Sequence, residues 1–97
     1  EQIVWQAAPG EPFGVAMDDL WTTEQDPLLQ VSELGDRRML VALFDELGRE
    51  VRASTPVPAD GRVRFGALAE GGYRAVLRLR SGHQPPVSKP FVVMAAQ

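Results

Sequence analysis

Cysteine is absent from this 97-residue chain, which excludes disulfides and thiolate metal sites and leaves the redox compartment open. Asparagine is absent too, and lysine and histidine occur once each, at Lys89 and His83. No apolar run approaches the roughly 20 residues that a membrane helix needs, so no insertion into a bilayer is expected. A strong basic excess is also missing: the net charge is −3 and the isoelectric point about 5.0, which disfavours nucleic acid as a partner. What is present is ordinary for a folded protein, with 44% hydrophobic and 24% charged residues. The length fits one domain over residues 1–97 with one core, burying roughly two-thirds of the unfolded surface. The chain opens at Glu1 without an initiator Met, as expected of an excised domain or a mature exported chain.

The most informative stretch runs from Leu43 to Leu79, where turn residues separate runs in which apolar side chains alternate with arginines. That is the pattern of antiparallel strands with one wet face. Asp60-Gly61 turns into a strand with Val63 and Phe65 inward and Arg62 and Arg64 outward. Leu68 enters the core before Gly71-Gly72, and Tyr73, Ala75, Leu77 and Leu79 then alternate with Arg74, Val76, Arg78 and Arg80. Val87 to Met94 closes the sheet, with Lys89, Phe91 and Val93 on one face and Pro90, Val92 and Met94 on the other. Pro56 and Pro58 confine their segment to an edge strand or a loop.

In the first half, strands are expected at Ile3–Ala7, Phe13–Met17 and Leu28–Leu34, with a polar connection from Asp18 to Pro27. Met39–Phe44 is a continuous apolar run that periodicity alone does not identify. Asp36 as a cap, Leu40, Leu43, Phe44 and Leu47 at helical spacing, and Gly48 as a terminator spell a helix over 36–47. The flanking context favours a strand, since Asp45–Gly48 suits a turn and Arg49–Ser54 alternates, Glu50 and Arg52 outward, Val51 and Ala53 inward. The expected fold is therefore all-β, a single antiparallel sandwich of seven or eight strands, with α+β carrying one helix at 36–47 as the alternative.

Charge is unevenly placed. Residues 1–36 hold eight acids and no Lys or Arg, whereas residues 37–97 hold all ten basic residues and five acids. Acidic N-terminal elements are expected to lie beside the arginine-bearing strands and offset them within the fold. The competing reading is a bipolar surface that orients the domain against a partner.

Catalytic chemistry has little to build on. His83 with Ser81 or Ser88 lacks a nucleophile elbow, and Asp18-Asp19, adjacent on an extended chain, point to opposite faces. No catalytic residue, metal site or cofactor is expected. Asp18, Asp19, Glu24 and Asp26 read as a solvated acidic loop, with calcium as the alternative use of their oxygens. Trp5 and Tyr73 sit in alternating runs that assign them to the core. Trp21, among Asp18, Asp19, Thr22 and Thr23, is the aromatic whose neighbours suggest exposure, and exposed aromatic faces stack on sugars; packing onto the sheet is its other fate.

The series D-E-L-G-R-E-V, G-R-V-R-F, L-A-E-G-G-Y-R-A-V-L-R-L and K-P-F-V-V over residues 39–94 resembles the second half of immunoglobulin-like and prealbumin-like sandwiches appended to exported bacterial proteins. Tyr73 looks like the tyrosine that braces a strand in such domains. Pro9-Gly10-Glu11-Pro12-Phe13 is similar to the opening turn of macroglobulin-type envelope domains. Adhesin-type members often carry an isopeptide cross-link, but this chain offers only Lys89, with Asp18 or Asp45 in a reversed arrangement, and Lys89 reads as an exposed strand residue. The resemblance implies a non-catalytic structural or protein-interaction domain of a larger envelope or secreted protein, located in the periplasm, at the cell surface or outside the cell. Its partner is expected to be a protein or a neighbouring domain of the same chain, with carbohydrate as the alternative. Trp21, Arg74, Arg78 and Arg80 are the candidate contact residues.

Overall fold

The alternation of apolar and charged residues is realised as strands throughout the described residues, 13–32, 38–80 and 85–96 of a computed structural model. The eight strands are β1 (Gly14–Ala16), β2 (Leu20–Thr22), β3 (Leu28–Ser32), β4 (Met39–Asp45), β5 (Glu50–Pro56), β6 (Arg62–Arg64), β7 (Gly71–Leu79) and β8 (Val87–Met94). They form two sheets, ordered β1-β3-β6 and β2-β8-β7-β4-β5. The protein is an all-β sandwich whose chain crosses repeatedly between the two sheets. The expected strand at Ile3–Ala7 and the loop segment holding Ser81 and His83 lie outside the described residues.

The helix alternative is overturned, because Met39–Asp45 is a strand paired on both sides, with β5 and with β7. Its apolar run is continuous because both faces are apolar: Met39, Val41 and Leu43 point into the core, and Leu40, Ala42 and Phe44 lie on the other face.

Two further expectations need correction. The sandwich is not wholly antiparallel, since β2 pairs with β8 in parallel, Leu20 beside Val92 and Trp21 beside Val93. A parallel pair requires a long crossover between its strands, and these two come from opposite ends of the chain. The connection expected from Asp18 to Pro27 therefore contains a strand, and β8 is flanked on both sides rather than closing the sheet. The second correction concerns Ala53, which is exposed rather than inward. The β4–β5 register shifts twice, between Val41 and Leu43 and between Leu43 and Phe44, and such irregularities break the two-residue alternation.

The core lies between the sheets. Leu29, Val31 and Val63 of the smaller sheet meet Met39, Val41, Leu43, Ala75, Leu77, Leu79, Phe91 and Val93 of the larger, with Phe13, Phe65 and Leu68 from the connections. Phe91 stacks against Phe65 and Tyr73, at ring-centroid separations of 6.1 and 5.6 Å. The Tyr73 hydroxyl donates to the carbonyl of Ala69 at 2.7 Å, fixing the corner by which the chain enters β7. This is the bracing expected of that tyrosine.

Two turns depend on glycine. Gly48 ends the β4–β5 hairpin at φ +81°, and Asp45 Oδ1 accepts from the backbone N–H groups of Leu47 and Arg49, both at 2.9 Å. Gly61, at φ +76°, lies so close to β3 that an added Cβ would sit 2.0 Å from the Val31 carbonyl oxygen.

Candidate interaction surface

The outer face of the five-stranded sheet can be read row by row from the strand register. One row runs Pro56, Leu40, Arg78; the next pairs Ala42 with Val76 and Ser88; a third runs Glu50, Phe44, Arg74, Pro90; a fourth runs Gly72, Val92, Leu20. Beyond these, Met94 pairs with Thr22, and the Arg80 backbone N–H donates to the Arg38 carbonyl at 2.8 Å, which sets these two exposed arginines side by side. A sheet face meant only for water would carry polar residues at most of these positions. This one carries Leu20, Val92 and Met94 at 60%, 45% and 49% exposure, with Leu40, Phe44 and Val76 half-buried among them.

At one end the face deepens into a groove of about 880 Å³ between the β4–β5 turn and strands β7 and β8. Phe44, Val76, Pro90 and Val92 supply its apolar surface, and Arg74 and Glu46 border it. Leu47, at the tip of the turn, is 72% exposed. Two other acids reach the groove but are engaged. Asp45 holds Arg49 Nε at 2.8 Å, and its carboxyl is pulled below the ordinary carboxylate range, first by the backbone hydrogen bond from Arg49. Asp19 Oδ1 lies 2.8 Å from Lys89 Nζ. Lys89 is thus paired and only 22% exposed at its side chain, not the freely exposed residue expected, and its ion pair is with Asp19 rather than with Asp18 or Asp45.

Arg74, Arg78 and Arg80 share this outer face, all exposed. The expected offsetting by N-terminal acids is realised elsewhere, at Lys89–Asp19 and at Arg64–Asp26, 3.6 Å apart. Among the described residues, none of Arg74, Arg78 and Arg80 has an ion-pair partner within 4.0 Å. Trp21 is not part of the group. It lies on the opposite side of the sheet, half-buried against the core, with Nε1–H donating to the Asp18 carbonyl at 2.8 Å. Of the acidic-loop residues, Asp26 also accepts from the Gly66 N–H, and no metal-holding cluster of three or more His, Cys, Asp or Glu side chains occurs among the described residues.

The sheet edges are built differently from this face. The β5 edge carries Pro56, whose nitrogen turns to the open side because its neighbour Val57 donates inward to Met39 at 2.8 Å. Next to it, Arg52 Nη2 donates to the Phe65 carbonyl at 3.2 Å, strapping this edge to the chain that leaves β6. The other outer strands, β1, β2 and β6, are three residues each. Proline, register shifts and short length are the devices by which sheets avoid adding a foreign strand.

Sequence reasoning missed Leu20, Phe44, Val76, Val92 and Met94 as a surface. The signal was the unbroken apolar run at Met39–Phe44, which marks a strand apolar on both faces. Comparison with known protein families, curated proteins and solved structures finds no match to this chain.

Proposed function

We propose that this chain is a non-catalytic structural or protein-interaction domain of a larger bacterial envelope or secreted protein, and that it meets its partner through the outer face of the five-stranded sheet. The observation that carries the reading is the apolar character of that face between guarded edges. Large exposed apolar patches on folded domains mark interaction sites, and arginine with apolar or aromatic residues is the composition enriched at protein interfaces. The exported setting rests on the resemblance of residues 39–94 to accessory sandwiches. Arg74, Arg78 and Arg80 are contact residues in this reading, and Trp21 anchors β2.

The competing carbohydrate reading depends on Trp21, so the two separate cleanly. In a Trp5→Phe background, Trp21 fluorescence is titrated with soluble polysaccharides. The protein-interaction reading expects no saturable quenching; saturable quenching removed by Trp21→Ala would replace it with a carbohydrate-binding module.

A further inference from the structure

We propose that the groove and the arginines beside it form a receptor for an acidic, apolar protein segment, one that places an apolar side chain against Phe44, Val76 and Val92 and carboxylates over Arg74 and Arg78. The inference rests on the protein-interaction reading and specifies the partner's chemistry. Charge complementarity decides it. Asp45 and Asp19 are neutralised by Arg49 and Lys89, so among the described residues Arg74 and Glu46 remain as the unpaired charges bordering the groove. Among the described residues Arg78, Arg80 and Arg38 extend the positive side along the face, and exposed Glu50 beside Phe44 joins Glu46 as its second unpaired acid, which leaves four arginines against two glutamates. Arg74 and Arg78 are four residues apart on β7, roughly 13 Å along an extended strand, so carboxylates spaced along one segment can reach both. Arginine stems present apolar surface below a charged head, so one ligand can gain both apolar and charged contacts there.

The alternatives fit less well. A second copy would set a face of net positive charge, four arginines against two glutamates among the described residues, against itself in a two-fold dimer, and like net charge opposes association. An anionic membrane matches the arginines, but the protruding Leu20 and Leu47 are flanked by Asp19 and Glu46, which an anionic surface repels, and Phe44 and Val76 are recessed in the groove. Oligonucleotides match the charge but not the aliphatic surface, since single strands bind on stacking aromatics.

The test uses the full chain and three acetylated hexapeptides: Glu-Leu-Glu-Phe-Glu-Leu, its counterpart with Lys for Glu, and its counterpart with Ser for Leu and Phe. Binding is followed by amide chemical shifts. The expected result is saturable binding of the first peptide only, with shifts at Phe44, Arg74, Val76 and Val92. Its affinity falls at least about tenfold in Arg74→Gln/Arg78→Gln and weakens as salt rises from about 50 to about 300 mM. Equal binding of the Lys peptide at the same residues overturns the acidic assignment and leaves the interaction reading intact. Absence of peptide binding overturns the proposal, as does a concentration-dependent dimer abolished by Val92→Asp. Tight binding to phosphatidylglycerol vesicles or to an oligothymidylate, in place of the peptide, likewise overturns it. If, in addition, polysaccharide quenches Trp21, the interaction reading fails as well.

Discussion

On β8, Val93 is 1% exposed and its neighbour Val92 is 45% exposed, although the two side chains are identical. They lie on opposite faces of one sheet, and the same contrast runs across it: Leu77 beside Val76 on β7, Leu43 beside Phe44 on β4. The inner face is covered by the three-stranded sheet and holds the fold together. Among the described residues no second sheet covers the apolar side chains of the outer face, which also carries Arg38, Arg74, Arg78 and Arg80 and the acid Glu50. Apolar content on a face therefore occurs in two settings, packed under a second sheet on one side and open on the other, and the proposed function assigns the open one to recognition.

The largest expected effect tests the inner face. Leu77→Ala removes a fully buried side chain from between the sheets and should destabilise by about 2–5 kcal/mol in denaturant titration. A loss below about 1 kcal/mol would mean that the inner face is not the stabilising one. Next is the corner that aims β7. Tyr73→Phe deletes the hydroxyl that bonds Ala69 and should cost about 0.5–1.5 kcal/mol, with ring packing on Phe91 retained. Outer-face substitutions sharpen the contrast from the other side: Val92→Ser and Arg78→Ala should each change stability by less than about 0.5 kcal/mol, whereas peptide binding weakens in both. A stability loss at Val92 equal to that at Leu77 would erase the distinction between the faces.

The smallest effect concerns the turn that walls the groove. Because the folded Asp45 carboxyl titrates below its unfolded value, its contribution is complete above the ordinary carboxylate range and is lost as pH falls through the lowered value. The stability difference between the wild type and Asp45→Asn should therefore shrink in acid, below about pH 4. A difference that stays constant from neutral pH into strong acid would separate the turn from carboxylate charge.

Much of the inner face was legible in the sequence. Within β6, β7 and β8 the two-residue period holds, and Val63, Phe65, Leu77, Phe91 and Val93 are all buried as their parity requires. Where the period breaks, the sequence misleads: register shifts carry Ala53 to the surface. β2 was hidden because three residues are too few to show alternation, and its parallel partner lies at the far end of the chain. The outer face was hard to read for another reason. Its residues come from four strands, and only the register assembles Leu20, Phe44, Val76 and Val92 beside Arg74. Arg74, Arg78 and Arg80 were legible as a group because they share parity on one strand and its extension. Trp21 was misleading, since its polar neighbours suggested exposure while its own position in β2 turned it inward.

The most direct measurement is solvent paramagnetic relaxation at the methyl groups of Val92 and Val93, with and without saturating Glu-Leu-Glu-Phe-Glu-Leu peptide. In the free protein, Val92 should relax fast and Val93 slowly. On binding, the account predicts that Val92 becomes protected to near the level of Val93, which itself stays unchanged. Val92 remaining as accessible in the saturated complex as in the free protein would contradict the assignment of the outer face to recognition.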